Sequence, residues 1–269
     1  MAISALARFL PHLGRLGRAT RWRRTRGRPR IWAHRGDSAC FPENTMVAFE
    51  SAVTKGADAI EFDVRFDGDK NVVVLHDSKL ERLTGQPGTI ETTSATARAA
   101  LRVRGEGIPM LADVLDAFDI EMDVEIKTTK VGRMGELVAA TARVIKDSAR
   151  ADQILVSSFD PVALVQLHAQ LPDLACAFLF HDEQPLPLRK GWVGNWTGAS
   201  VLHPQHTLCT EEAVARWHRA GMPINAWTID DRAELLRLAK LGVDGVFSND
   251  VAHAVRVFAE LTASGADAR

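Results

Sequence analysis

The chain has 269 residues, 46% of them hydrophobic, which is enough to bury one large core, and α/β barrels commonly reach this size as a single domain. The net charge of −1 hides an asymmetry: residues 1–30 hold nine arginines and no acid, so the remainder carries 24 of the 33 basic and all 34 acidic residues. Such an acidic body argues against nonspecific nucleic-acid binding, and three widely spaced cysteines give neither a disulfide framework nor a zinc pattern, which favours a reducing compartment.

Residues 1–29 are interpreted as a basic extension ahead of the first strand. A secretory signal carries its positive charges before the apolar run, whereas here the arginines become dense only after it, so no secretory signal is recognised. The extension also lacks the roughly 20 consecutive apolar residues of a membrane span, so no transmembrane span is recognised. Three interpretations stay open: an amphipathic segment in peripheral contact with anionic lipid, an organelle presequence, and a disordered tail. We therefore expect a cytoplasmic protein, with peripheral membrane contact through residues 1–29 as the alternative.

The first predicted strand is the apolar run from Ile31 to Ala33, which carries His34 and Arg35 to its carboxyl end. In α/β folds this end of a strand is where the chemistry is found. A helix is predicted to follow, with either Asn44 or Thr45 as its N-terminal cap.

A second predicted strand, Ala59 to Val64, carries two acidic residues. Glu61 and Asp63 lie two residues apart and therefore point to the same face of the strand. Burying two neighbouring carboxylates without a partner costs several kcal/mol or forces one of them to be protonated. A bound divalent cation removes this cost, and ligation by oxygen atoms alone favours Mg²⁺ or Ca²⁺.

The third apolar run, Val72 to Leu75, returns from a turn signal at residues 66–70 and ends at His76. Because the connection is too short for a crossover, this strand is predicted to pair antiparallel with the second one. A hairpin centred on Gly68 and Asp69 would set His76 opposite Glu61 and Val74 opposite Asp63.

Downstream, the segment from Glu121 to Lys127 is predicted as a strand with Asp123, Glu125 and Lys127 on one face, a set of charges that requires neutralisation if it is buried. Strands and helices then alternate up to Phe247, which indicates a parallel sheet. Nine strand candidates exceed the eight of a barrel, so one of them, in the hairpin or within residues 175–203, is expected to lie off the ring.

Four motifs together resemble the signature of the glycerophosphodiester phosphodiesterase family: HRG at 34–36, PENT at 42–45, ExD at 61–63 and VVxxHD at 72–77. The similarity extends over nearly the whole segment from Ile31 to Asp250. It implies a (β/α)₈ TIM barrel over residues 30–260 with a small insertion at about 78–108. It also implies metal-dependent hydrolysis of glycerophosphodiesters to sn-glycerol 3-phosphate and an alcohol.

The resemblance implies a role for each matching residue. His34 and His76 would be the acid/base pair, Arg35 and Lys127 would contact the phosphate, and Phe159 and Trp227 would line the substrate pocket. The metal ligands would be Glu61, Asp63 and Glu125, with Glu43 and Asn44 in the shell behind them.

Some interpretations stay open. A lysophospholipase D acting on lysophospholipids is one alternative, and a non-catalytic glycerophosphodiester-binding module is another. Three further histidines that follow strands, His181, His203 and His206, match no motif and are interpreted as structural or surface residues. Two departures from the family pattern, at residues 82–84 and 248–250, are expected to affect the substrate pocket without touching the acid/base or metal groups.

Overall fold

The computed structural model describes residues 21–23, 27–127 and 134–266. The strands are β1 (Arg30–His34), β2 (Ala59–Phe66), β3 (Val72–Val74), β4 (Glu121–Ile126), β5 (Ile154–Ser158), β6 (Ala175–Phe180), β7 (Val201–Pro204), β8 (Asn225–Ala226) and β9 (Gly245–Ser248). The helices are α1 (Met46–Thr54), α2 (Glu81–Thr84), α3 (Ala95–Ala100), α4 (Leu111–Ala117), α5 (Met134–Asp147), α6 (Pro161–Gln170), α7 (Leu186–Arg189), α8 (Glu211–Arg219), α9 (Arg232–Leu241) and α10 (Val251–Ala266). Among the described residues, no helix is long and apolar enough to cross a lipid bilayer.

Eight of these strands form a parallel barrel in the order β7-β6-β5-β4-β2-β1-β9-β8. The ring closes between β7 and β8 through two isolated parallel bridges, Leu202 with Ile224 and Gln205 with Trp227. The remaining strand, β3, pairs only with β2 and lies off the ring. The predicted (β/α)₈ barrel is therefore confirmed, and of the two places predicted for the extra strand, the hairpin and residues 175–203, the structure selects the hairpin.

Strand alternation separates the two faces of the barrel wall. Residues such as Ile60, Phe62 and Val64 of β2 face outward and join the large core between strands and helices. Their neighbours face inward, where a lower apolar layer that includes Ala59 lies below the carboxylates of Glu61 and Asp63. The same two-residue period thus supplies both the core and a polar upper layer inside the barrel.

Trp22 closes the lower end of the barrel. Only 1% of this residue is exposed, and its ring lies 5.7 Å from that of Trp32 within the inner apolar cluster. Trp22 therefore belongs to the barrel interior, although the sequence interpretation places it in the extension before residue 30. Residues 1–20 and 24–26 of the predicted extension lie outside the described residues, so its three interpretations stay open.

The predicted register of the hairpin is wrong by one residue. Val64 pairs with Val74, and Leu75, rather than Val74, lies opposite Asp63, whose carbonyl oxygen accepts a 2.9 Å hydrogen bond from its N–H. The reason is the turn itself. The Asp67 carboxylate accepts hydrogen bonds from the backbone N–H groups of residues 69 and 71, which builds a five-residue loop in place of a two-residue one.

The segment between β3 and α4 has a small core of its own. Buried apolar residues from it, including Leu80, Ile90 and Val103, pack against Val73 and Leu75 of the hairpin. Arg65 of β2 connects it to the barrel, because its side chain donates to the His76 carbonyl oxygen at 2.7 Å and to Glu91 at 3.2 Å. The insertion thus supports the end of the hairpin that carries His76.

His203 of β7 is fully buried inside the barrel beneath the polar layer. Its Nδ1 lies 3.4 Å from the carboxylate of Asp123, and its Nε2 lies 3.0 Å from the side-chain nitrogen of Asn225. Burial lowers the pKa of His203 to about 3, so its ring is neutral in the folded protein. The sequence-based view of His203 as a structural residue agrees with this position.

We expect the neutral His203 ring to make folding stability depend on pH. In the unfolded chain a histidine has a pKa of about 6.5 and takes up a proton below that pH, whereas folded His203 does so only near pH 3. Its contribution is therefore complete above pH 6.5 and is lost as the pH falls, by about 1.4 kcal/mol at pH 5.5. Urea unfolding at pH 7.5 and 5.5 should show a smaller pH dependence for His203→Gln than for the wild type. Equal pH dependence in the two proteins would contradict the expectation.

Candidate active site

A cavity of about 200 Å³ opens at the carboxyl ends of the barrel strands. One side of it is polar and the other is apolar, which suits a ligand that carries both charge and carbon. Its lining residues are His34, Arg35, Glu61, His76, Asp123, Glu125, Lys127, Ser157, Phe159, Leu179, Trp227, Thr228 and Phe247.

Three carboxylates cluster at this cavity, where Glu61 and Glu125 line it and Asp63 lies buried beside them. Glu61 and Asp63 come from β2 and Glu125 from the adjacent β4, where Asp63 and Glu125 are paired in register. One oxygen of each carboxylate lies within 4.8 Å of the others, and all three residues are buried. Burial, followed by the charges of Asp63 and Glu125, raises the pKa of Glu61 well above its usual value. Three charges this close strongly favour a bound cation.

Two cationic side chains partly neutralise this cluster. The Lys127 ammonium lies 2.7 Å from Glu125 and 3.3 Å from Asp63, and the Arg35 guanidinium lies 3.4 Å from Asp63. Although burial raises the pKa of Asp63, Lys127 and Arg35 outweigh it and hold that pKa below its usual range. Asp63 therefore stays ionised, whereas burial raises the pKa values of Glu61 and Glu125 and favours their protonated forms when no cation is bound.

The turn after β1 directs Arg35 into the site. Arg35 adopts a left-handed φ of 58°, and its backbone N–H donates to the Glu61 carboxylate at 2.9 Å. The next residue, Gly36, has φ 81°, and a Cβ there would lie 2.7 Å from the backbone of Ala48. Only glycine allows this close approach of the turn to α1.

His34 is held by a residue from the far end of the chain. Its Nδ1 lies 2.7 Å from Oδ1 of Asn249, which follows β9. Burial, and then the charge of Arg35, lower the pKa of His34 to about 4. The imidazole is therefore neutral near pH 7.

His76 has a different partner. Its Nδ1 lies 2.6 Å from the Asp77 carboxylate, which Arg82 of the insertion contacts in turn at 2.5 Å. The Arg82 hydrogen bond is the main reason that the pKa of Asp77 falls to about 2, so Asp77 is an anion. Burial lowers the pKa of His76, and the charge of Asp63 and the hydrogen bond to Asp77 offset only part of this effect by favouring the imidazolium.

Glu43 and Asn44 have different contacts. Glu43 bridges Arg35 at 2.9 Å and Arg82 at 2.8 Å, so it pairs with cations and makes no hydrogen bond to the three carboxylates. Asn44 donates to Asp63 at 2.8 Å and thereby orients that carboxylate. Thr45, and not Asn44, caps α1, by accepting from the N–H of Ala48.

Comparison with known proteins identifies the family. Residues 34–253 match the model of the glycerophosphoryl diester phosphodiesterase family. A glycerophosphodiester phosphodiesterase of Caldanaerobacter subterraneus is 30% identical over 82% of this chain and 93% of its own length. The chain belongs to the glycerophosphoryl diester phosphodiesterase family. A second such enzyme, from Bacillus altitudinis, is 30% identical over 86% of this chain and 99% of its own length.

The fold is also shared with solved structures of glycerophosphodiester phosphodiesterases. The structure of a phosphodiesterase from Oleispira antarctica, 28% identical, superposes with a TM-score of 0.80 over 86% of this chain and 97% of its own length. That protein was solved in complex with its product, sn-glycerol-3-phosphate.

The donor set of this family member fits a hard divalent cation. Oxygen atoms are the only donors in the cluster of Glu61, Asp63 and Glu125, which matches the preference of Mg²⁺ and Ca²⁺. In addition, Asp63 Oδ1 is buried and accepts no hydrogen bond, although the Lys127 ammonium lies 3.3 Å from it, so a bound cation would supply the direct partner that this oxygen lacks.

Aromatic residues form the apolar wall of the cavity. The rings of Phe159 and Trp227 meet edge to face with their centroids 5.5 Å apart. The Trp227 indole N–H donates to the His203 carbonyl oxygen at 2.8 Å, which fixes the orientation of the ring. The structure thus places both aromatic residues named from the sequence in this glycerophosphodiester phosphodiesterase pocket. His181 and His206 are not among the residues that line it.

Sequence reasoning assigned no role to Asp123, Ser157 or Asn249, which all bear on this glycerophosphodiester phosphodiesterase site. Asp123 and Ser157 line the cavity, with Ser157 donating to Asp123 at 3.0 Å, and their inward positions followed from strand alternation. Asn249 contacts His34 directly. The expectation that the departure at residues 248–250 would not touch the acid/base groups is therefore wrong, because the end of β9 lies beside the end of β1.

A larger cavity, of about 520 Å³, lies at the opposite end of this glycerophosphodiester phosphodiesterase barrel. Arg28 there pairs with Asp58, Arg30 pairs with Glu121, and no acid/base pair or carboxylate cluster lies among its described lining residues. It is not the candidate active site, because chemistry in a barrel of this kind occurs at the carboxyl ends of the strands.

Proposed function

We propose that the protein hydrolyses glycerophosphodiesters to sn-glycerol 3-phosphate and an alcohol, with a divalent cation, Mg²⁺ or Ca²⁺, at the three carboxylates. The observation that carries the proposal is the presence of two differently partnered histidines, Arg35 and Lys127 around one buried carboxylate cluster. The Oleispira antarctica phosphodiesterase, which was solved with sn-glycerol-3-phosphate, supports the choice of substrate class.

The environments of the two histidines support separate roles. His34 is neutral and is backed by an amide, so it suits a general base that removes a proton from the attacking hydroxyl group. His76 is backed by the Asp77 anion, so it suits a general acid that gives a proton to the leaving alcohol. The attacking hydroxyl belongs to water or to the glycerol 2-position, and the same two roles serve either route.

The charged groups would stabilise the reacting phosphate. A divalent cation held by Glu61, Asp63 and Glu125 would supply positive charge to a non-bridging phosphate oxygen. Arg35 and Lys127 lie beside the same carboxylate cluster and would offset the negative charge that builds up on the phosphate in the transition state. Phe159 and Trp227 would pack against the carbon atoms of the substrate and exclude water from that side.

The test is the release of sn-glycerol 3-phosphate from glycerophosphocholine and glycerophosphoethanolamine by the purified protein, with Mg²⁺, with Ca²⁺ and with EDTA. We expect release on at least one substrate that stops in EDTA and returns when the cation is restored. Release of choline from lysophosphatidylcholine alone would replace the proposal with a lysophospholipase D. Protection against thermal melting by glycerophosphocholine without any product would instead indicate a binding module.

A further inference from the structure

The residue that holds His34 is itself held by an acid. Asn249 lies between His34 and Asp230, with its Oδ1 2.7 Å from His34 Nδ1 and its Nδ2 2.6 Å from Asp230 Oδ2. Asp230 lies in the loop between β8 and α9, so the three residues come from separate parts of the chain. They form one continuous hydrogen-bonded row that ends at the catalytic pocket.

The chemistry of Asp230 decides which way the Asn249 amide points. An ionised carboxylate can only accept hydrogen bonds, so the group facing it must be the amide nitrogen. Asp230 is ionised, because hydrogen bonds from Asn249 and Ser248 outweigh burial and lower its pKa. The amide oxygen of Asn249 therefore faces His34, and the hydrogen in that contact must belong to His34 Nδ1.

We propose that Asn249, oriented by Asp230, is a positioning residue that fixes His34 in the Nδ1–H tautomer. In this tautomer Nε2, on the other side of the ring, is the nitrogen with a free lone pair, and a general base needs that lone pair. The inference rests on the proposed function for its kinetic consequence. The assignment of the His34 tautomer depends only on the hydrogen bonds of Asn249 to His34 and Asp230.

Exchanging the two side chains tests the orientation. In Asp230→Asn, the Oδ1 position can still accept from Ser248 and the backbone of residues 249 and 250, so the new amide nitrogen faces Asn249. The Asn249 amide must then rotate and present its nitrogen to His34, which favours the Nε2–H tautomer. In Asp230→Asn/Asn249→Asp, the new carboxylate accepts from both neighbours, and the Nδ1–H tautomer is restored.

The tautomer can be read by long-range ¹H–¹⁵N correlation spectra of histidine-labelled, metal-free protein, with the His34 signals assigned from their loss in His34→Gln. We expect Nδ1–H in the wild type, Nε2–H in Asp230→Asn and Nδ1–H in the double variant. In parallel, kcat should fall about 10- to 100-fold in Asp230→Asn with KM little changed, and should largely recover in the double variant. His206→Gln, whose ring pairs with Glu234 outside the cavity, is the control and should change neither the His34 tautomer nor kcat.

Some results would overturn the proposal. An Nε2–H signal for His34 in the wild type, or an unchanged tautomer in Asp230→Asn, would show that Asn249 does not fix the ring. A loss of kcat in Asp230→Asn that the double variant fails to recover would mean that Asp230 acts in another way. If the wild type released no product from any tested substrate, the proposed function would fail, and the spectra would still decide the role of Asn249.

Discussion

Replacing His76 by glutamine is expected to lower the turnover of glycerophosphocholine by about 10²- to 10⁴-fold, the contribution that a positioned acid or base makes. The choline alkoxide is a poor leaving group, so its departure depends on the proton that His76 donates. His34→Gln should cause a loss in the same range, because the attacking hydroxyl group then keeps its proton. Steady-state kcat and KM, with circular dichroism to verify folding, are the measurements.

A substrate with a good leaving group separates the two roles. The 4-nitrophenyl ester of glycerol 3-phosphate needs no proton on its leaving group, so His76→Gln should lose much less activity on it than on glycerophosphocholine. His34→Gln should lose equally on both substrates. His206→Gln, whose ring pairs with Glu234 outside the cavity, is the matched control and should keep wild-type turnover. Equal losses for His76→Gln on both substrates would rule it out as the acid.

Glu61→Gln is expected to separate cation binding from folding. Metal-free Glu61 has a strongly raised pKa, so glutamine resembles its protonated form and can still accept from the Arg35 N–H. We therefore expect the melting temperature without metal to stay close to that of the wild type. Saturating Mg²⁺ or Ca²⁺ should stabilise the wild type, by about 2.7 kcal/mol at 100 times Kd, and stabilise the variant much less.

Activity should follow the same pattern, with kcat/KM of Glu61→Gln at least about 10²-fold below that of the wild type at saturating cation. Thermal melting with and without cation, and phosphate-ester assays on the same samples, provide both readouts. Glu136→Gln, which removes a carboxylate that pairs with Lys70 on the surface, is the control. A full cation-induced stabilisation in Glu61→Gln would show that the cation does not bind at this carboxylate.

The sequence predicted those features that follow from strand periodicity. Glu61 and Asp63 share a face because they lie two residues apart on β2, and Glu125 joins them because β4 is the neighbouring parallel strand. Alternating strands and helices indicated the parallel sheet, and the short turn after β2 indicated an antiparallel strand off the ring. Each of these inferences needed only local spacing and chain connectivity.

Features that depend on side-chain hydrogen bonds or on distant segments were not predictable in this way. Hydrogen bonds to the Asp67 carboxylate centre the hairpin loop on Asp69, which shifts the strand register by one residue from the prediction. The residue types in this loop fit the predicted loop, centred between Gly68 and Asp69, equally well. Nor does local pattern reveal that Trp22 fills the barrel floor or that Arg82 reaches Glu43 and Asp77. Such contacts become visible only when the barrel has brought separate segments together.

The pairing of β1 with β9 has a consequence for synthesis of the protein. His34 and its partner Asn249 are 215 residues apart, so His34 leaves the ribosome long before the residue that orients it. A nascent chain, or a product cut within α9, carries both histidines and all three carboxylates and still lacks the strand that closes the ring beside His34. Under the proposed role of Asn249, full hydrolytic activity requires synthesis of the chain through β9 and Asn249.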